Sequence, residues 1–280
     1  MTAPTDRLPG VAELVERALA GDLGPDPADL RTSVAFTTRQ GARHVSRATA
    51  YRNTVVSVRV GDAVGSCAAE PDDVDDSTVT DCAGATVADL LAHPDPVIRT
   101  AALDAYLMSA HPHETSGARP VVIGPGDSLA KSMARASAVV DLLDAVPGQR
   151  VLVVGVVNSL LHHLRERGLE YVPCDLKGGR TEWEEPIVTD AESAVGDCDV
   201  VLASGMTVGN GSFEPLLRTA VEADRPLVVF AQTASAIVPR FLGSGVTAVS
   251  AEPYPFFWLH GGPSTLHHYR AGTPRPERAR

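Results

Sequence analysis

Five short, nearly continuous apolar runs punctuate the second half of this chain: RVLVVG (150–155), LEYVPCDL (169–176), CDVVLASG (198–205), PLVVFAQ (226–232) and GVTAVSA (245–251). Between them stand VNSLLHHLRERG (157–168), SFEPLLRTAVEA (212–223) and AIVPRFLGSG (236–245), which read as helices. A strand with one wet face alternates polar and apolar residues. Strands that are apolar throughout are covered on both faces, and with intervening helices that means a parallel sheet between helical layers. The pattern predicts an α/β, Rossmann-like domain. DSLAKSMARASAVVDLLDAV (127–146) reads as a helix leading into it, with Asp127 as N-cap.

The first half reads differently. VAELVERALA (11–20) has the spacing of a short amphipathic helix, and SVAFTT (33–38) that of a strand. YRNTVVSVRVGDAVGSCAA (51–69) reads as a hairpin turning at Gly61-Asp62. The acidic stretch 70–81 reads as a solvated loop, 87–110 as two helices separated by Pro94 and Pro96, and 111–120 as a polar connector. The expected organisation is a smaller α+β domain over 1–115, the Rossmann-like domain over 116–270 and a disordered tail over 271–280.

Charge and composition narrow the function. The net charge is −11, and no dense basic stripe is present to neutralise phosphates, so no nucleic-acid partner is expected. No apolar run reaches the ~18 residues of a membrane span, and MTAPTDRLPG has no charged-then-apolar leader pattern, so no membrane partner and a cytoplasmic location are expected. Cys67, Cys82, Cys174 and Cys198 are scattered with no CxxC pair, which reads as four buried free thiols. No HExxH or comparable ligand spacing marks a metal site.

In an open α/β sheet, ligands bind beyond the carboxyl ends of the strands where the strand order reverses, so residues just after each apolar run are the first suspects. The first run ends on Gly155 alone rather than on GxGxxG, which argues against an ordinary dinucleotide site. The second ends at Asp175, placed either to hold a ribose hydroxyl of an adenosine-like ligand or to make a turn. The third is followed by Ser204-Gly205-Met206-Thr207-Val208-Gly209-Asn210-Gly211-Ser212, a glycine-rich turn. There Thr207, Gly209, Asn210, Gly211 and Ser212 are expected to meet a polar or anionic group, or else Ser212 simply caps the next helix. Thr233 and Ser235 follow the fourth run and Glu252 the fifth, ahead of the aromatics at 254–258, which suit either a pocket wall or a homodimer face. Tyr51, Arg52 and Asn53 are expected to reach in from the first domain. His111 and His113 are expected to act as acid and base, since imidazole titrates near neutrality.

CDVVLASGMTVGNGSFEPLL, PLVVFAQTASAIVPRFLGSGV and AVSAEP together resemble the strand, TG-x-x-x-x-NG-T/S loop and helix of the DUF364 family of heavy-metal chelation proteins. YRN, GSCAAE and IRTAALDAYLMSAHPH resemble its usual partner, the DUF4213 domain with an enolase N-terminal-like fold. The resemblance implies a Rossmann-like domain preceded by a smaller α+β domain. FAQTAS replaces the family's Gly-Pro-Ser type of turn, and no compact cysteine or histidine cluster answers to chelation.

The expected function is processing of a small metabolite in a pocket between the two domains, by non-redox elimination, displacement or group transfer of the kind found in specialised metabolite biosynthesis. The alternatives are binding of a metal or metal chelate without turnover, and service as a non-catalytic partner subunit. A divalent metal and an adenosine-containing ligand are the two cofactor classes left open.

Overall fold

The computed structural model describes residues 8–43, 51–70 and 73–272. Three strands, β1 (Thr32–Ala42), β2 (Tyr51–Val60) and β3 (Ala63–Ala69), form an antiparallel sheet, with β2 and β3 turning at Gly61-Asp62. Helix α1 (Val11–Leu19) precedes them, and α2 (Asp76–Asp81), α3 (Val87–Leu91) and α4 (Pro96–Ala110) follow. Pro96 opens α4 and the Asp95 carboxylate caps it by accepting from Val97 N, so its start is fixed by a rigid φ and a satisfied amide.

Gly65 lets α4 lie directly on β3. A Cβ there would stand 1.9 Å from Ala105 N and 2.4 Å from Ala101 O, both backbone atoms that cannot yield. The helix is buried along most of its length because its other side faces the second sheet. One hydrophobic cluster accordingly runs from Val58 and Cys67 through Ala101, Leu103 and Leu107 to Val201, Ala203 and Val229.

The second sheet has seven strands in the order β4-β10-β9-β8-β7-β5-β6. These are β4 (Arg119–Ile123), β5 (Arg150–Val154), β6 (Glu170–Cys174), β7 (Val200–Ser204), β8 (Leu227–Ala231), β9 (Val246–Ala251) and β10 (Ser264–Arg270). β5 to β9 are mutually parallel, and β10 runs antiparallel to both β9 and β4. The apolar runs thus become a parallel sheet, as their pattern requires. Helices α5 (Ser128–Val140) and α6 (Asn158–Glu166) cover one face through Val139, Leu160 and Leu164. Helices α7 (Ala191–Ala194), α8 (Met206–Gly209) and α9 (Phe213–Glu222) complete the set, and Phe213, Leu216 and Leu217 of α9 pack into the larger cluster with α4.

Several local expectations are corrected. The acidic stretch carries a helical turn and a half, α2, rather than loop throughout. The 111–120 connector enters β4 at Arg119, and the helix beginning near 127 stops at Val140 rather than 146. The helix expected over 236–245 shrinks to one 3-10 turn, Val238–Phe241, ended by an extended Leu242 and by Gly243 and Gly245 at φ +80° and +105°. β10 was not expected as a strand, since STLHHYR lacks an apolar run; its two histidines are nevertheless buried. The tail's residues 273–280 lie outside the described residues. Among the described residues no helix is long and apolar enough to cross a membrane.

Candidate functional site

Read from one edge, the parallel strands run β6-β5-β7-β8-β9. The chain steps from β5 outward to β6, then crosses back over β5 to β7. The order therefore reverses between β5 and β7, and the loops leaving those two strands part to open a crevice. A cavity of about 740 Å³ lies there, lined by the carboxyl ends of β5 to β8 and roofed by β1, β2 and β3 of the small sheet. Gly155 has φ +89° and its Cβ would meet the Ser204 Cβ at 2.7 Å, so only glycine lets the two strand ends approach at the reversal.

Two contacts tie roof to floor across this cavity. The Trp258 indole N–H donates to the Gln40 side-chain oxygen, and Lys177 Nζ pairs with Glu70 at 3.0 Å; all four residues line it. Phe230, Phe256, Phe257 and Trp258 form an aromatic wall. Phe256 and Phe257 are buried, whereas Tyr254 and Trp258 are half-buried. Asp175, Lys177, Arg180 and Asp190 stand on the β6 side.

The residues singled out in the sequence separate into two groups. Arg52, Asn53, Asp175, Thr207, Asn210, Ser212 and Thr233 all line the cavity. Asp175 also makes the turn expected of it, its Oδ1 accepting from Lys177 N at 3.0 Å, which leaves further acceptor sites on the carboxylate. The glycine-rich turn folds as the single helical turn α8, with Thr207 Oγ1 donating to Ser204 O at 2.7 Å. Ser212 is not the side-chain cap considered for it; its hydroxyl instead donates to Asn210 Oδ1 at 2.7 Å. Tyr51 begins β2, and its side chain lies outside the described part.

The others sit elsewhere. Gly209 serves packing, since a Cβ there would stand 2.6 Å from Cys67 Sγ and 3.0 Å from Ala68 O. Gly211 supplies a φ of +78° to the turn and does not line the cavity. Ser235 is fully buried away from it. His111 terminates α4 with Nε2 at 2.6 Å from Leu23 O. His113 is buried, with Nδ1 at 2.6 Å from the Tyr269 hydroxyl and its ring stacked on His267 at 4.9 Å. Neither histidine lines the cavity, and burial pushes His113 down to about 3, so it is neutral at physiological pH.

Glu252 lies beneath the aromatic wall rather than in it. Burial pushes its carboxyl up, opposed by Arg135, whose Nε donates to Oε2 at 2.5 Å, and by Gln232. Arg135 itself lines the cavity, and the sequence reading passed over it. The signal was present: Ser128, Ser132 and Arg135 recur at i, i+4 and i+7 on a helix otherwise rich in alanine, which puts all three on one face.

A heavy metal held by protein donors does not fit these residues. All four cysteines are free and buried. Burial pushes Cys67 up to about 12 and Cys174 and Cys198 to about 11, so none offers a ready thiolate. Among the described residues no group of three or more His, Cys, Asp or Glu side chains is gathered for a metal.

Comparison with known proteins agrees with this architecture. No match was found among curated proteins. A DUF364-family protein of unknown function from Desulfitobacterium hafniense superposes with a TM-score of 0.58 at 14% identity, covering 92% of this chain and 98% of its own. A DUF364-family protein of unknown function from Pyrococcus horikoshii gives 0.54 at 14% identity, covering 91% and 98%. Residues 138–251, which hold β5 to β9 and the floor of the cavity, match the DUF364 profile, described as "Putative heavy-metal chelation". In that segment this chain is thus similar to the DUF364 family, and it shares its overall fold with two DUF364-family proteins.

Proposed function

We propose that this protein binds and chemically processes a small amphipathic metabolite, held between the antiparallel sheet and the carboxyl edge of the parallel sheet. The observation that carries the reading is the 740 Å³ cavity at the β5/β7 reversal, walled from both sheets. Its volume is that of a metabolite-sized site. Its walls divide the labour: aromatic faces at Phe230, Phe257 and Trp258 take an apolar part, and Asp175, Arg52 and Asn53 take hydroxyls or amines. Closure by the small sheet excludes water from the bound molecule, which strengthens each polar contact made there.

The chemistry is non-redox on this reading. A nicotinamide dinucleotide is cradled by three glycines at the first strand–helix turn, whereas this turn offers Gly155 followed by Val156 and Val157. Asp175 is the carboxylate placed to accept a hydroxyl or ammonium proton from the ligand. His111 and His113 take no part in this scheme. Four free thiols suit a reducing, cytoplasmic compartment.

A thermal-shift screen of nucleosides, S-adenosylmethionine, amino acids and phosphate and sulfate esters tests the proposal. A hit should raise the melting temperature of the native chain and fail in Asn53→Trp, which places an indole in the cavity from a strand position that accepts aromatics. A hit that Asn53→Trp leaves untouched refutes the site.

A further inference from the structure

We propose that Arg135 is the oxyanion-recognising group of this cavity and that the ligand carries a carboxylate. The inference deepens the reading of the cavity as a small-molecule site and rests on it. Arg135 is 5% exposed, yet it lines the cavity. Its guanidinium is fixed on three sides. Nε donates to Glu252 Oε2, and the Phe230 and Phe257 rings stand 5.4 and 5.6 Å away. Among the described residues the contact with Glu252 is its one hydrogen bond. Among the described residues the two Nη groups therefore bring four N–H donors to the cavity with no protein acceptor. A ligand oxygen pair meets donors that no protein group occupies.

The surroundings of Arg135 suit the same group. One turn back on α5, Ser132 Oγ lies 3.0 Å from Ser159 Oγ, and both serines line the cavity. Ser159 belongs to the first turn of α6, a nine-residue helix whose N-terminal residues Val157, Asn158 and Ser159 line the same space. Apart from Glu252, which is already bonded to Nε, two acidic residues of the cavity stand well away. Asp175 and Asp190 stand by β6, three strand spacings from β8, or about 14 Å at ~4.8 Å per strand.

The geometry selects a carboxylate over a diphosphate. The two Nη groups of one guanidinium form a planar fork that matches two coplanar oxygens. Glu252 already offsets one unit of charge, and the neighbouring Lys131 spends its Nζ on His260 O, Gly262 O and Ser264 Oγ. With a single glycine at the β5–α6 turn, the backbone cannot wrap a diphosphate. The aromatic rings that clamp Arg135 place an apolar or aromatic portion of the ligand next to its carboxylate.

Benzoate, benzamide and inorganic phosphate are the probes, titrated against the intact chain with tryptophan fluorescence and melting temperature as readouts. Benzoate should bind saturably and at least tenfold more tightly than benzamide or phosphate. The double variant R135Q/E252Q, which removes both charges together and leaves no lone buried carboxylate, should erase the preference for benzoate. Ser132→Ala should weaken benzoate about threefold. Equal binding of benzoate and benzamide overturns the oxyanion site while leaving the cavity reading intact. No binding of either overturns both. Phosphate binding as tightly as benzoate overturns the carboxylate assignment. Should R135Q/E252Q fail to give a native circular dichroism spectrum, R135K decides: it keeps the charge and loses the fork, and undiminished benzoate binding in it refutes the proposal.

Discussion

Asp104 on α4 holds the two sheets together, and replacing it by alanine gives a pH-dependent loss of stability. The carboxylate is 1% exposed. Its Oδ2 accepts from Ser66 N of β3 at 2.9 Å and its Oδ1 from Ala236 N, in the loop after β8, at 2.7 Å; Ile237 N donates to it as well. One side chain therefore satisfies two buried backbone amides, one from each side of the contact, while Ile237 N also donates to Ala234 O at 3.1 Å. Asp104→Ala orphans Ser66 N and Ala236 N, at about 1–2 kcal/mol each, or roughly 2–4 kcal/mol in sum. Burial pushes the Asp104 carboxyl up to about 7 against those three amides, which hold it down. A folded pKa above the unfolded 3.8 means that this group's proton-linked stability is complete below 3.8 and is lost as pH rises through 7. Between pH 5.5 and 8 the wild type gives up about 2 kcal/mol from this source, and the alanine variant nothing.

The gap between wild type and Asp104→Ala should then be about 3–4 kcal/mol at pH 5.5 and about 1–2 kcal/mol at pH 8. Other titrating groups, the buried histidines among them, are common to both proteins and cancel in the difference. Urea unfolding followed by both fluorescence and circular dichroism measures it, with coincident curves as the check on two-state behaviour. A gap below 1 kcal/mol at both pH values refutes the role of Asp104 as a clasp. A gap that widens from pH 5.5 to 8 refutes the raised carboxyl.

Three further outcomes follow from the same contacts. Gly65→Ala should leave little or no soluble folded protein, because its Cβ meets only backbone of α4 at 1.9 and 2.4 Å; wild-type yield and melting temperature would contradict the close approach. His113→Phe should cross over with pH: it loses the hydroxyl contact with Tyr269, about 1 kcal/mol, at pH 7.5. Burial lowers the wild-type imidazole from 6.5 to about 3, so its stability is complete above 6.5 and is lost on acidification, by about 2.7 kcal/mol at pH 4.5. There the variant should be the more stable, and parallel denaturation curves at the two pH values would exclude this. Exhaustive dialysis against a chelator should leave the melting temperature within about 1 °C of the untreated protein, since the described residues gather no donor cluster; a drop of several degrees would restore a protein-held metal.

The parts of this fold legible in the sequence are those fixed by short-range physics. Five apolar runs alternating with helices call for strands of a parallel sheet covered by helices, so β5 to β9 and the edge on which ligands gather were readable from pattern, although β6 lies at the sheet's edge. Gly61-Asp62 fixed a hairpin by its turn chemistry. β10 was not readable, because Leu266 is followed by His267 and His268, polar residues that nonetheless end up buried, paired with β4 and β9 and, at His267, stacked on His113 of the 3-10 turn His113–Thr115. The segment at 236–245 misled in the opposite sense: its apolar content reports burial, and the positive φ of Gly243 and Gly245 ends the buried element after one turn.

The site divides along the same line. Residues at strand ends, such as Asp175, Thr207 and Thr233, were found because topology brings every strand end to one edge. Residues that close the cavity were not, because their partners come from distant parts of the chain: Gln40 meets Trp258, and Glu70 meets Lys177. Arg135 is the instructive case. Its sequence neighbours are those of an ordinary amphipathic helix, and an arginine there reads as solvent-facing. What suits it to the proposed role is that Glu252 neutralises its Nε edge and two aromatic rings cover its faces, three contacts supplied by strand β8 and the segment after β9. A charge is worth far more against a ligand when its surroundings have already been desolvated. The glycine-rich turn shows the converse: it looked like a ligand cradle, yet Gly209 is glycine because Cys67 and Ala68 press against it. A glycine signals only that something comes close, and whether that is ligand or protein is decided by the sheet packed opposite.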